Sequence, residues 1–199
     1  MRILNTLKAA RLGPKPRTDE ALLAAVANGD VNAFEEIHSK YFPKVMHFAR
    51  RITDNAESAE EVANDVLMTV WRTADRFQGL SKPSSWIFGI AYRMALKQRA
   101  KQLKRKGDVE LDEALLSDGS DTETTVMHKK DLAAALRQLS PELRAVVEFT
   151  YYNGYLYTEI AEILECPVGT VKTRMMTARK RLREMLSDES PAKSENAVA

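Results

Sequence analysis

The stretch Tyr157-Thr158-Glu159-Ile160-Ala161-Glu162-Ile163-Leu164-Glu165-Cys166-Pro167-Val168-Gly169-Thr170-Val171-Lys172-Thr173-Arg174 decides how this chain is read. Ile160, Ala161 and Leu164 fall on one side of a short helix over 157–164. Glu165-Cys166-Pro167 reads as a tight turn. Beyond it Val168, Val171, Met175, Ala178, Leu182 and Met185 step by three or four, the buried stripe of a second helix. Its other faces carry Thr170, Lys172, Thr173, Arg174, Arg179, Lys180 and Arg181. Two short helices joined tightly, the second basic on its free faces, form a helix-turn-helix whose second helix suits the major groove of DNA. Lysine and arginine reach guanine edges or phosphates there, and threonine reaches bases or the thymine methyl. The plainer alternative is an amphipathic hairpin with solvated charges.

Upstream, Ser140-Pro141-Glu142 supplies a capping hydroxyl, a proline at the first helical position and a first-turn acid. The helix they start is expected to run to about Tyr152 and stop at Asn153-Gly154, where glycine takes a left-handed conformation. Leu132, Leu136 and Leu139 continue the helical spacing backwards. Residues 107–126 break it, with seven acids, no base and few large apolar side chains. Such a segment cannot offset the entropy of ordering and reads as a flexible linker.

The N-terminal half carries three more stripes. Phe34, Ile37, Tyr41, Val45, Phe48 and Ile52 form the first, with Pro43 placed to kink or divide it. Ala59, Val62, Ala63, Val66, Leu67, Val70 and Trp71 form the second, with Asp54, Asn55 or Ser58 available as its cap. Trp86, Ile87, Ile90, Ala91 and Met94 form the third, and at that spacing Trp86 reads as core. No period-two alternation is sustained. The fold class is therefore all-α: two small helical domains joined by a flexible acidic linker, the C-terminal one a helix-turn-helix. The expected organisation is a disordered basic extension at 1–18, an N-terminal domain at 19–106, the linker at 107–126, the C-terminal domain at 127–187 and a disordered tail at 188–199.

Charge balance agrees with a nucleic-acid partner. The 199 residues sum to only +2, but seven bases and no acid run from Arg93 to Lys106, and six bases against Glu184 alone run from Pro167 to Leu186. Two basic clusters on helical patterns are the footprint of a nucleic-acid binder. From Ile52 to Trp71 the sign reverses, with five acids and no base. No apolar run is long enough to span a membrane, and residues 1–17 lack a secretory leader, so membrane insertion is not expected and a cytoplasmic protein is. The single Cys166 precludes an internal disulfide, and His38, His47 and His128 stand apart. With no glycine-rich phosphate loop, metal-ligand cluster or nucleophile motif, neither an enzyme nor a metal or cofactor is expected.

The turn and second helix, with Ala178-Arg179-Lys180-Arg181-Leu182 beyond, resemble the C-terminal DNA-binding domain of bacterial sigma factors of the extracytoplasmic-function (ECF) group. The N-terminal half resembles the same family independently. Ala59-Glu60-Glu61-Val62-Ala63-Asn64-Asp65-Val66 through Val70-Trp71-Arg72 is similar to its polymerase-contacting helix. Phe77-Gln78-Gly79-Leu80-Ser81 with Trp86-Ile87-Phe88-Gly89-Ile90-Ala91 is similar to its promoter-melting segment.

That resemblance implies an alternative sigma factor that binds core RNA polymerase and directs promoter-specific initiation, under the control of an anti-sigma factor. Its partners are core RNA polymerase, promoter DNA and that anti-sigma factor. Glu60, Glu61, Asn64, Asp65 and Arg72 are implied to face the polymerase. Gln78, Ser81, Lys82, Ser84, Arg93 and Lys97 are implied to take up the −10 element, with Ser85, Arg99 and Lys101 as further donors or cations. Thr170, Lys172, Thr173, Arg174 and Arg179 are implied to read the −35 duplex. The chain departs from the family pattern where Arg93 and Lys97 replace Asn and Asp, and where Pro83 replaces an aromatic or apolar residue. Leu156 replaces a capping Ser at a cost of about 1 kcal/mol, and Glu165 replaces a turn Gly suited to positive φ. The rival readings are a dimeric operator-binding regulator that never docks on polymerase and a purely structural helical adaptor.

Overall fold

The computed structural model describes residues 17–107 and 132–188, all in helices and short connections. The basic extension up to residue 16, the linker residues 108–131 and the tail from 189 lie outside the described residues. Among those described, no helix is long and apolar enough to cross a membrane.

Helix α1 (Asp19–Ala27) begins on Thr18, whose hydroxyl accepts the Ala21 N–H at 3.3 Å, and buries Leu22, Leu23 and Val26. Arg17 pairs with Asp30 and Glu36, which flank the start of the next helix. Helix α2 (Val31–Thr53) is capped by Asp30 and runs unbroken through Pro43, so the proline does not divide it. It ends on Asp54, held left-handed at φ 56. Asn55, of the three candidates, caps α3 (Ala56–Thr73) by accepting the Ser58 N–H at 2.7 Å. A single 3-10 turn (Ala74–Arg76) and a loop then lead to α4 (Pro83–Gly107). The stripes read from sequence meet in one core, with Ile37, Val45, Phe48, Ile52, Val66, Leu67, Val70, Ile87 and Ala91 all at or near zero exposure. Trp86 is half-buried against that core, its ring 5.5 Å from Phe77.

Helix α5 (132–138) leads to α6 (Pro141–Val147), which starts on Ser140 with Pro141 in its first turn. α6 continues as a π-helical turn over Glu148–Tyr152, a departure from the uniform helix that the spacing predicts. It closes as expected at Gly154, φ 69, with the Tyr155 N–H bonded back to Phe149 O at 2.9 Å. Helices α7 (Tyr157–Ile163) and α8 (Val168–Asp188) are the hairpin, packed through Ile160, Ile163, Val171, Met175 and Ala178.

The two halves are packed together. Phe149 of the π turn stacks on Phe48 of α2 with centroids 4.6 Å apart, and its edge meets Phe88 of α4 and Tyr155. Arg144, 1% exposed, fixes the junction. Its guanidinium donates to Arg51 O at 2.6 Å and Asp54 Oδ2 at 2.8 Å on α2, and to Arg137 O and Leu139 O on its own side. It thereby satisfies carbonyls that helix ends leave without an intrahelical donor. Nothing in the local sequence marks this arginine as buried.

Candidate functional site

Three surfaces carry the residues singled out above. The first is the outer face of α3. Val62, Ala63, Val66 and Leu67 take the buried side, which forces Glu60, Glu61, Asn64 and Asp65 into solvent. Arg72 is exposed in the last turn of the helix. Met68, 43% exposed, sits among them on the 61, 65, 68, 72 line, an apolar member that charge patterning did not pick out. Among the described residues none of these acids forms an ion pair within 4 Å, and Glu61 accepts one hydrogen bond, from Gln98 at 2.7 Å.

The second surface is α4 with the loop before it. Gln78 and Lys82 are exposed, Ser81 is half-exposed, and Leu80 is 86% exposed at the loop's crest, carried there by Gly79 at φ 70. Lys97 is exposed, as are Lys101, Lys104 and Arg105 further along. These four form one wall of a groove of about 580 Å³ whose other wall is Glu61 and Asp65 of α3. The structure thus brings the acids of the first surface beside the cations of the second. Two expectations are corrected. Ser85 is 2% exposed and has no route to a nucleic acid, because position 85 falls on the core side of the helix. Arg99 is occupied, donating to Ile52 O at 2.6 Å and Asp54 Oδ2 at 2.8 Å, so it braces the end of α2.

Two cations of this surface face the other half of the chain. Lys82 Nζ lies 2.6 Å from Glu159 Oε1 on α7, and this pairing raises the lysine pKa and lowers that of the carboxyl. Arg93 pairs with Glu165 in the turn before α8. Burial pushes the Tyr155 phenol upward, with nearby Ser84 opposing it in part.

The third surface is the free side of α8. Lys172, Thr173, Arg179 and Lys180 are exposed, and Thr170 and Arg174 are half-exposed. The Thr173 hydroxyl donates back to Gly169 O at 3.0 Å, leaving its methyl and acceptor lone pairs outward. Arg179 Nη2 and Nε donate to the Tyr151 hydroxyl at 2.8 and 3.1 Å, which aims the guanidinium from the side of α6. Met176, 68% exposed between Thr173 and Lys180, was missed, since an apolar residue carries no signal on a polar face. Glu165 takes φ 49, the left-handed geometry expected of the family's glycine there. The uncapped Leu156 is compensated from below, its N–H donating to Glu159 Oε2 at 2.8 Å. Among the described residues, no group of His, Cys, Asp and Glu is placed to hold a metal.

The segments that carry these surfaces match known families. The family model described as Sigma-70 region 2 matches residues 37–105, and Sigma-70, region 4 matches 129–182. The RNA polymerase sigma-H factor of Pseudomonas aeruginosa is 27% identical over 180 residues, covering 84% of this chain and 93% of that protein. The ECF RNA polymerase sigma factor SigK of Mycobacterium ulcerans is 29% identical over 184 residues, covering 87% of this chain and 97% of that one. In fold, the chain resembles CnrH in complex with the cytosolic domain of CnrY (TM-score 0.66, 22% identity, 86% of this chain and 99% of that one). It also resembles the sigma factor RpoE in complex with the anti-sigma factor NepR from Bartonella quintana (TM-score 0.63, 24% identity, 80% and 100%).

Proposed function

Because this chain belongs to the sigma-70 family, as a sigma factor of its ECF group, we propose that its three surfaces divide the work of promoter-specific initiation. The exposed face of α3, with Glu60, Glu61, Asn64, Asp65 and Arg72, docks on core RNA polymerase. The 77–82 loop and α4 take up the opened −10 element through Gln78, Ser81, Lys82, Ser84, Arg93 and Lys97. Helix α8 reads the −35 duplex through Thr170, Lys172, Thr173, Arg174 and Arg179. The N-terminal domain spans 19–106 in this reading and the C-terminal domain 127–187. The protein is a transcription initiation factor; we assign it no chemistry of its own, since polymerisation belongs to the core enzyme, and we place its work in the cytoplasm.

The observation that carries this reading is the assignment of opposite charges to different helix faces. α3 turns its acids outward with almost no internal partner, while α4 and α8 turn cations outward. An acidic helix face suits a basic protein surface. Single-strand capture needs cations along a backbone, and the exposed Lys97 on α4 supports that reading. Duplex readout needs a helix free on one side, which α8 provides. The relatives CnrH and RpoE were captured with CnrY and the anti-sigma factor NepR, and we extend to this chain control by an anti-sigma factor that covers the same surfaces.

Reconstitution tests the assignment. The chain with core polymerase should transcribe from members of a promoter library that core enzyme alone ignores. A chain that retains its fold yet never associates with core enzyme would be an operator-binding regulator instead.

A further inference from the structure

Helix α6 is buried on every side from Leu143 to Phe149. It comes into solvent only in the π turn, where Tyr151 is 60% exposed. Irregular helical turns of this kind recur at functional sites. The phenol emerges beside α8 and meets Arg179, the guanidinium assigned above to the −35 element. Nε and Nη2 both donate to the one phenolic oxygen, at 3.1 and 2.8 Å, while the guanidinium carbon stands 5.9 Å from the ring centroid. The hydroxyl, rather than the ring face, makes the close contact. An arginine on an open helix face has many rotamers to sample. Here two donors of the same guanidinium converge on one oxygen, which holds its plane and its direction. Both side chains stay exposed, so what the contact fixes is aim rather than packing.

Arginine carries five N–H groups and no acceptor. The phenol oxygen therefore accepts from it twice, and three N–H groups of Arg179 remain. The phenol's own O–H finds no acceptor among the described residues. The pair is thus a cluster of unused donors with one positive charge, on the helix face that also exposes Thr173 and Lys180. Such a cluster fits an anion with several acceptor oxygens, and along a DNA duplex that anion is the backbone phosphate. We propose that Tyr151 and Arg179 grip a single phosphate of the −35 duplex as a unit, with Tyr151 holding the guanidinium in place and adding its own O–H to the phosphate oxygens. The −35 reader then extends beyond the hairpin to the end of α6. Ordering the arginine before DNA arrives removes a cost that binding would otherwise carry.

The inference rests on α8 reading the −35 duplex, and its test separates the two ideas. Reconstituted holoenzyme is titrated, across a range of KCl, onto one promoter duplex recovered from the library. A matched set replaces each −35 phosphate in turn by an uncharged methylphosphonate. One such replacement should weaken the parent, and Arg179→Ala should erase that sensitivity and lower the salt slope by about 1. Tyr151→Phe keeps the ring and the arginine's charge. It should weaken all −35 sequences alike, roughly 3- to 10-fold, leave the salt slope as it is, and blunt the response to the same methylphosphonate. Adding Tyr151→Phe to Arg179→Ala should lower affinity less than about 2-fold further, because the unit is already broken. Parent-level affinity in Tyr151→Phe, losses that simply add in the double variant, or a full response to that methylphosphonate each overturns the inference. A tyrosine that only supported the fold would leave the phosphate response intact. If Lys172→Ala with Arg174→Ala weakens binding while Tyr151→Phe does not, the inference alone fails. If those two changes and Arg179→Ala all leave binding untouched, the assignment of α8 fails with it.

Discussion

Replacing Arg144 by methionine tests the energetic core of the structure most directly. The guanidinium is 1% exposed and bonds four acceptors, Arg51 O, Asp54 Oδ2, Arg137 O and Leu139 O. Methionine matches the stem in length and leaves all four without this donor. Burial disfavours the charged arginine and lowers its pKa, so part of the loss is returned when the charge goes. Breaking a buried, hydrogen-bonded pair at one partner nonetheless costs about 3–5 kcal/mol, a large share of the roughly 5–15 kcal/mol that holds a domain. With a urea dependence of about 1–3 kcal/mol per molar, the midpoint should fall by about 2 M. Both tryptophans, Trp71 and Trp86, lie in the N-terminal half, so their fluorescence reports that half while helical ellipticity reports both. The two curves should coincide in the parent chain and separate in the variant. Asp54→Asn, which suits the left-handed φ of 56 and keeps an acceptor, closes a double-mutant cycle in which a coupling of about 1–2 kcal/mol is expected. A midpoint shift under about 0.5 M, with coincident curves and no coupling, would refute the reasoning that Arg144 joins the halves.

Three further outcomes are expected. Glu60→Lys, Glu61→Lys and Asp65→Lys together should abolish co-elution with core polymerase while changing stability by less than about 1 kcal/mol, because all three side chains are exposed. In gel-shift titrations with reconstituted holoenzyme, Arg179→Ala should weaken every promoter alike, as a phosphate contact does, whereas Arg174→Ala should cost about 1–3 kcal/mol on the preferred −35 sequence and blur the preference at one position. Glu148 should make stability fall as pH rises. Burial holds its pKa above the ordinary carboxylate range despite Arg51 and Arg144, so the unfolded chain ionises first and binds fewer protons in that window. The contribution is complete in acid and gone above the raised pKa, and urea midpoints followed across that range should lose this slope in Glu148→Met.

The helical stripes were legible because each buries one face of one helix. Phe48, Ile52, Val66, Ile87 and Val171 all went where a 3.6-residue period sends them. The caps at Ser140 and Asn55 and the stop at Gly154 were legible for a similar reason, since each satisfies backbone groups within a few residues. What depended on distant partners was not legible. Arg99 counted as a DNA cation until Ile52 O and Asp54 claimed it across 45 residues or more, and Ser85 counted as a donor until the helix's roll put it inward. Arg144 and Glu148 look like ordinary helix-surface charges in sequence, and only the docking of the two halves buries them. On the exposed faces the charges were readable, but Met68 and Met176 were not, because a lone apolar residue among polar ones has no pattern to belong to.

Glu165 bears a conformation that glycine would adopt with less strain, at a local penalty of roughly 1–2 kcal/mol. An engineer selecting for heat resistance would therefore be drawn to Glu165→Gly and would gain a sturdier turn. The same change would strip Arg93 of its counterion. Thermal toughness of the turn and the link between the two halves are thus set against each other at a single backbone position.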